Sequence, residues 1–277
     1  MDYILSYDVG TSALKAILVN QDGEVKECAQ ECYDVNVMQE GFVEMDPTDW
    51  WAAVVKTTRT IMSSCDVTPA EIKGMVFCTQ ALNVIPMGQD GKILRPAISW
   101  LDSRADEEAD EIIEMVGGRE VCEALMGTVF TGMDSLPKVR WLMKHEPKMF
   151  EKMKCFLDCN GYLTYRATGE MVFDISSASF LGYDRESGSI IGDLIGTSGF
   201  DPEQFPRIVK SFEKVGNLTA VAAEELSLTR ETAVFGGTCD MQGTTIGSGM
   251  SGHEEAHIYL GTSGWAAVGT NKCATLS

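Results

Sequence analysis

Apolar positions crowd residues 3–8 and 13–19, and the polar triplet "QDG" follows at 21–23. This pattern predicts two strands and a hairpin turn in which Gly23 takes positive φ. "VKECAQECYDV" gives a third strand, so three antiparallel strands precede any helix. The period then lengthens. In "MDPTDWWAAVVKTTRTIMSSC", Asp46 stands as N-cap, Pro47 takes the first helical position and Asp49 sits at N3. Trp50, Val54 and Ile61 recur there at helical spacing. "KGMVFCTQ" is apolar enough for a strand at the centre of a sheet.

Farther along, "GQDGK" at 88–92 is a second turn, and "PAISWLDSRA" carries a strand into the acidic helix "ADEEADEIIEMVGG", ended by Gly117 and Gly118. Residues 119–215 are less regular, with a helix around "LPKVRWLMKHEP", a short strand "CFLD" and a helix "GYLTYRATG". A helix near 219–226 leads into "TAVFGGTCDMQGTTIGSGM", which reads as strand, glycine turn and glycine-interrupted helix. Strands 256–260 and 265–269, joined by "GTSG", form a last hairpin.

Composition narrows the function. The chain has 277 residues and is 44% hydrophobic, enough for one large domain or two smaller ones. Its 22 basic residues face 41 acidic ones, a net charge of -19, which argues against a nucleic-acid partner. A small neutral or metal-bound ligand suits such a surface better. Nine cysteines behind a start without a signal-peptide pattern point to a reducing compartment, the cytoplasm. Cys28 with Cys32 and Cys155 with Cys159 repeat a C-x3-C spacing, but no His stands near either pair, so they read as small buried thiols. No apolar run approaches the roughly 18 residues of a membrane span. The acidic run 106–116 reads as a solvated face or as the interface of a homodimer, with the solvated face favoured.

Candidate chemistry gathers in three places. "DVGTS" at 8–12 and "LGTSG" at 260–264 both join two strands through Gly, Thr and Ser, and such turns present backbone N–H groups and small hydroxyls to phosphate oxygens. A single turn of this kind is common in ordinary hairpins; two of them suggest phosphate binding. The carboxylate of Asp8 ahead of the first turn suits Mg2+, a hard cation that keeps waters between itself and protein. Asp240 in "GGTCDMQG" is either an ordinary N-cap or a general base that positions an acceptor hydroxyl and takes its proton.

The ordered set "YDVGTSALKAILVNQDG", "GFVEMDPTDWW", "ISWLDSRA", "TGE…FDISSAS", "VFGGTCDMQG" and "YLGTSGW" resembles the FGGY family of carbohydrate kinases, closest to its xylulokinase-like members. The resemblance implies an α/β fold of the ribonuclease H-like, actin and sugar-kinase type, with a mixed five-stranded sheet flanked by helices. It implies a sugar or polyol substrate and the cofactors ATP and Mg2+. Position by position, Asp8 would lie near the phosphates and meet Mg2+ through water. Gly10, Thr11 and Ser12 would form the first phosphate loop, and Gly261, Thr262 and Ser263 the second. Asp240 would be the catalytic base and touch the substrate. Gln80, Trp100, Asp102 and Arg104 would line the sugar pocket. For Trp100 a core position at a strand end, and for Arg104 a salt bridge at a helix start, are equally compatible with the sequence.

Two departures qualify the resemblance. Xylulokinases commonly carry Gln-Met-His-Gly after the central strand, where this chain reads Gln80-Ala81-Leu82-Asn83, which puts xylulose itself in question. Family members are also longer: residues 1–245 would be the sugar-binding N-terminal domain, and 246–277 only the beginning of the nucleotide-binding C-terminal domain. A lone hairpin is marginal in water, so this tail is expected to pack on the first domain, pair with another copy, or be poorly ordered. The functional alternatives are a catalytically incompetent sugar-binding module lacking an adenosine site, and a two-metal nuclease using Asp8, Asp102 and Asp240.

Overall fold

The computed structural model describes residues 1–184, 187–250, 252, 255–260 and 264–270. The three expected opening strands are β1 (Tyr3–Val9), β2 (Ala13–Asn20) and β3 (Val25–Cys32), paired antiparallel in sequence order. Gly23 turns the chain between β2 and β3 at φ 82°. The apolar strand Ile72–Thr79 runs parallel to β1, with Asp8 opposite Cys78 and Val9 opposite Thr79. Beyond it lies Ala233–Phe235, also parallel, and then Lys214–Asn217 at the outer edge. The five long-range strands expected of this fold are therefore present, and two short pieces, Lys214–Asn217 and Thr238–Cys239, extend the sheet to seven.

One feature between the strands sets the geometry of the site. Ala233–Phe235 stops at Gly236 and Gly237, and Thr238–Cys239 resumes pairing with the same neighbour, Thr238 opposite Cys78 and Cys239 opposite Thr79. A Cβ on Gly236 would collide with the Lys210 carbonyl, and one on Gly237, which has φ 74°, with the Phe77 carbonyl. Only glycine allows that approach.

Helix α1 (Pro47–Ser64) starts as its sequence predicts, with the Asp46 side chain accepting from the Thr48 amide. It buries Trp50, Val54 and Ile61 completely, each side chain contributing about 1.5–3 kcal/mol of burial. On the same side, Trp50 meets Tyr162 of the helix Cys159–Thr168 edge-on at 6.5 Å. The buried Tyr7 hydroxyl of β1 lies 2.7 Å from Thr58 Oγ1 of α1, so this buried hydroxyl is satisfied.

Several expectations need correction. Five strands, not three, precede the first helix, because Asn36–Gln39 and Phe42–Met45 form a further hairpin, whose second strand pairs with Ala97–Ile98. Cys155 and Cys159 are buried, but Cys28 and Cys32 are exposed, because β3 is an edge strand of the sheet. The acidic helix, Asp106–Met115, is not simply solvated. Glu108 is buried against Lys144, and Glu111 takes Arg140 and Lys144, so the acids bind this helix to its neighbour, Ser135–His145. The final hairpin is present as expected, Ala256–Leu260 with Gly264–Val268, as a two-stranded sheet in which Tyr259 stacks on Trp265. Among the described residues no helix is long and apolar enough to cross a membrane.

Candidate active site

The carboxyl ends of β1, Ile72–Thr79 and Thr238–Cys239 share one edge of the sheet, the end at which open α/β sheets place their ligands. Asp8 lies on the same rung as Cys78 and Thr238, and Asp240 follows one residue after the last rung. Asp240 opens the helix Asp240–Gly247 as its first residue, with Cys239 as the N-cap. Asp240 therefore occupies the first helical position rather than the N-cap. Its carboxyl is half-buried and held above its usual range, chiefly by burial, with the nearby charge of Asp8 adding to the rise against a lowering by the Met241 amide. A carboxylate with a raised pKa is a better proton acceptor. Asp8 itself is half-exposed, 3.7 Å from Lys15 Nζ. The Cys78 thiol between the two acids is pushed far up by burial and by both carboxylates, so it stays protonated and inert.

The first glycine turn is held from several sides. The Gly10 amide donates to the Ala13 carbonyl at 3.0 Å, and the Gly10 carbonyl accepts from Tyr33 Oη at 2.5 Å and Gln80 Nε2 at 3.2 Å. Tyr33 N donates to the Ser12 carbonyl at 3.1 Å. Trp100 Nε1 donates to Thr11 Oγ1 at 3.0 Å, which leaves the Thr11 hydroxyl proton free to point elsewhere. None of the described residues takes the Thr11 or Ser12 amide. Two side chains expected in the sugar pocket, Gln80 and Trp100, thus brace this glycine turn. Gln80 is buried, and its Oε1 has no partner among the described residues, a cost of about 1–3 kcal/mol that a ligand hydroxyl could remove.

Asp102 and Arg104 are engaged with each other. Asp102 is fully buried and accepts from Val43 N at 2.6 Å, Arg104 N at 3.0 Å and the guanidinium at 2.7–3.0 Å. Arg104 also reaches Glu44 at 2.8 Å, and its guanidinium carbon lies 4.3 Å from the Phe42 ring centre and 4.9 Å from that of Trp141. With its carboxylate committed in this way, Asp102 cannot serve as a metal ligand beside Asp8 and Asp240, which removes the nuclease reading. Among the described residues no group of three or more His, Cys, Asp or Glu could hold a metal ion.

Three further features support the site, of which only Ser176 falls in a segment that carries the family resemblance, "FDISSAS". Tyr33 clamps the turn at Gly10, as above. Ser176 Oγ accepts from Cys239 N at 2.8 Å, lies 3.1 Å from Thr238 Oγ1 and donates to Asp174, so it secures the segment just ahead of Asp240. Lys138 is fully buried behind the segments that carry Gln80 and Trp100. Its signal was present: Ser135, Lys138, Val139 and Leu142 share one helical stripe, and a lysine on an apolar stripe is unusual. Gly261, Thr262 and Ser263, expected as the second phosphate loop, lie outside the described residues.

The donor set fits Mg2+ in its usual mode. One half-exposed carboxylate, without a dedicated cage, suits a cation that keeps its waters and bridges to phosphate oxygens. The open turn with two unclaimed amides and two hydroxyls fits a phosphate group.

Residues 3–247 match the N-terminal domain of the FGGY family of carbohydrate kinases. The xylulose kinase of Bacillus subtilis is 31% identical over 269 residues, covering 95% of this chain and 53% of that protein. The xylulose kinase of Staphylococcus xylosus is 28% identical, covering 96% and 55%. Among solved structures, xylulose kinase from Rhodospirillum rubrum superposes with a TM-score of 0.88 at 25% identity, covering 95% of this chain and 54% of that one. Plasmodium falciparum glycerol kinase with ADP has a TM-score of 0.84 at 20% identity, covering 97% and 54%. The chain spans about half the length of the curated relatives it matches. With the sheet order, the pinned glycine turn and the family match in agreement, this chain belongs to the FGGY family of carbohydrate kinases.

Proposed function

We propose that residues 1–245 form the sugar-binding domain of an ATP-dependent, xylulokinase-like carbohydrate kinase, with 246–277 the beginning of its nucleotide-binding domain. The observation that carries this reading is the convergence of Asp8 and Asp240 on one sheet edge, beside a Gly-Thr-Ser turn that Gln80 and Trp100 brace. In the reaction, a sugar or polyol hydroxyl attacks the γ-phosphorus of ATP, the bond to the ADP oxygen breaks, and the hydroxyl proton passes to Asp240. The raised pKa of Asp240 favours that transfer. Thr11 and Ser12 would hold phosphate oxygens through their amides and hydroxyls, and Asp8 would hold Mg2+, which when bound would supply positive charge to offset that of the phosphates. Gln80 Oε1 accepts from a sugar hydroxyl and Trp100 offers its ring, while Asp102 and Arg104 fix the wall behind them. The reading places the protein in the cytoplasm, acting on a small molecule without nucleic acid or membrane, as a monomer or homodimer.

Calorimetric titration with pentuloses, pentitols and glycerol, with and without MgATP, tests it. Sugar binding that MgATP strengthens supports a kinase. Sugar binding indifferent to MgATP supports the alternative, a catalytically incompetent sugar-binding module. No binding of any sugar refutes both.

A further inference from the structure

Lys138 has no role in the chemistry above, yet it is completely buried and its ammonium donates to three backbone carbonyls from three segments: Leu82 at 3.1 Å, Ser99 at 2.8 Å, and Met133. Among the described residues no carboxylate forms an ion pair with it. Two of these carbonyls adjoin residues of the proposed pocket wall, and the third anchors the helix that carries Lys138. Leu82 lies two residues after Gln80 and holds φ 60°, a left-handed conformation that a residue other than glycine keeps only when its surroundings enforce it. Ser99 directly precedes Trp100, and Met133 precedes the N-cap of the helix that carries Lys138. An ammonium has three hydrogens and serves three acceptors. A neutral amine has two hydrogens and a lone pair, so one carbonyl would lose its donor and face that lone pair.

We propose that Lys138 is a positioning residue for the sugar pocket, tying the Leu82, Ser99 and Met133 segments into the binding arrangement while protonated, so that sugar affinity falls as pH rises. The inference rests on reading this pocket as a sugar site. The charged groups that face the ammonium are Asp102 and Asp134, which favour its charge, and Arg104, which opposes it. Burial outweighs them and pushes the Lys138 pKa down to about 7, so the tie loosens within the range where the protein is handled. For folding the sign is opposite. Unfolded lysine keeps its proton up to about 10.4, so between the two values the unfolded chain binds more protons and this group makes stability rise with pH. Affinity that falls while stability rises distinguishes positioning from general support.

The test titrates wild type and Lys138→Met with D-xylulose, D-ribulose, xylitol and glycerol at pH 6 and pH 9, with urea midpoints measured alongside. Wild type should lose about tenfold in affinity for its sugar between the two pH values, and the variant should bind about tenfold more weakly at pH 6 with no pH dependence. Its urea midpoint should not fall in proportion. A folded variant that binds like wild type at pH 6, or a flat wild-type profile, overturns the proposal. If wild type binds none of these sugars, the sugar-site reading fails, and hydrogen exchange judges the tie separately. Amides in 80–84, 98–102 and 131–135 should lose about tenfold in protection in the variant relative to the central strand. Unchanged protection there defeats the tie. If the variant does not fold, wild-type exchange at the two pH values, corrected for intrinsic rates, decides: selective loosening of the three segments at pH 9 supports the tie, and a uniform change overturns it.

Discussion

Replacing Asp102 by Asn should unfold the protein at markedly lower urea without any ligand present. The side chain is fully buried, and the Arg104 side chain beside it is 2% exposed. Asparagine keeps an acceptor for the Val43 amide, but it removes the anion facing the guanidinium and presents an amide donor to another donor. Breaking a buried ion pair from one side costs about 3–5 kcal/mol. Arg104 would retain Glu44 at 2.8 Å and the Phe42 and Trp141 rings, and such cation–π contacts contribute about 0.5–2 kcal/mol. The loss should therefore lie near the lower end, about 3 kcal/mol, which with an m-value of about 3 kcal/mol/M shifts the midpoint by about 1 M. Equilibrium urea unfolding followed by tryptophan fluorescence measures it. Asp102→Asn combined with Arg104→Met should recover much of the loss, because no buried charge is left unpaired. If Asp102→Asn unfolds at the wild-type midpoint and only weakens sugar binding, Asp102 is a substrate contact and the structural reasoning is wrong.

Other consequences concern the chemistry and the acid response. In the enzyme carrying both domains, Asp240→Asn should lower kcat by at least about a thousandfold while sugar affinity, read by calorimetry, changes little. Asp8→Ala should abolish phosphoryl transfer and spare sugar binding; a variant with normal turnover would remove Asp8 from the phosphate site. Asp158, buried next to Asp174, has its carboxyl pushed up to about 7, chiefly by burial, and its Oδ2 has no partner among the described residues. The folded state therefore binds a proton that the unfolded state has lost, and stability should fall as pH rises from about 4 to about 7. Asp158→Asn should remove that slope and raise the urea midpoint at pH 8; parallel urea midpoints for the two proteins across this range would contradict it. A double-mutant cycle on Trp100→Phe and Thr11→Val should give a coupling of about 0.5–1.5 kcal/mol, and additive losses would show that the hydrogen bond between them is not formed in solution.

The meander, α1 and the central strand were legible because each carries a local signal. Period-two apolar runs mark β1 and β2, the Asp46-Pro47 start marks α1, and the unbroken apolar run marks Ile72–Thr79. The Asn36–Gln39 and Phe42–Met45 hairpin escaped because the first strand is exposed throughout, so no alternation betrays it. Asp8, the 10–12 turn and Asp240 came forward through their motifs, but the way they meet depends on sheet order, which lies beyond any local pattern. The commitments of Asp102 and Arg104 rest on Val43, Glu44, Phe42 and Trp141, contacts that span dozens of residues and cannot be read from "WLDSR". The same distance hid the contacts of Tyr33 and of Ser176, although Ser176 lies in the motif "FDISSAS".

The interruption at Gly236 and Gly237 acts as a spacer of fixed length. Because the chain leaves and rejoins the same neighbouring strand, the rung on which it resumes determines how far Asp240 stands from Asp8. A one-residue insertion or deletion here would shift the resumed strand, and with it the start of the helix that carries Asp240, by one rung, about 3.3 Å. The separation of the two acids is thus encoded by counting residues across two glycines, and a change in that count alone would put the acid pair out of alignment.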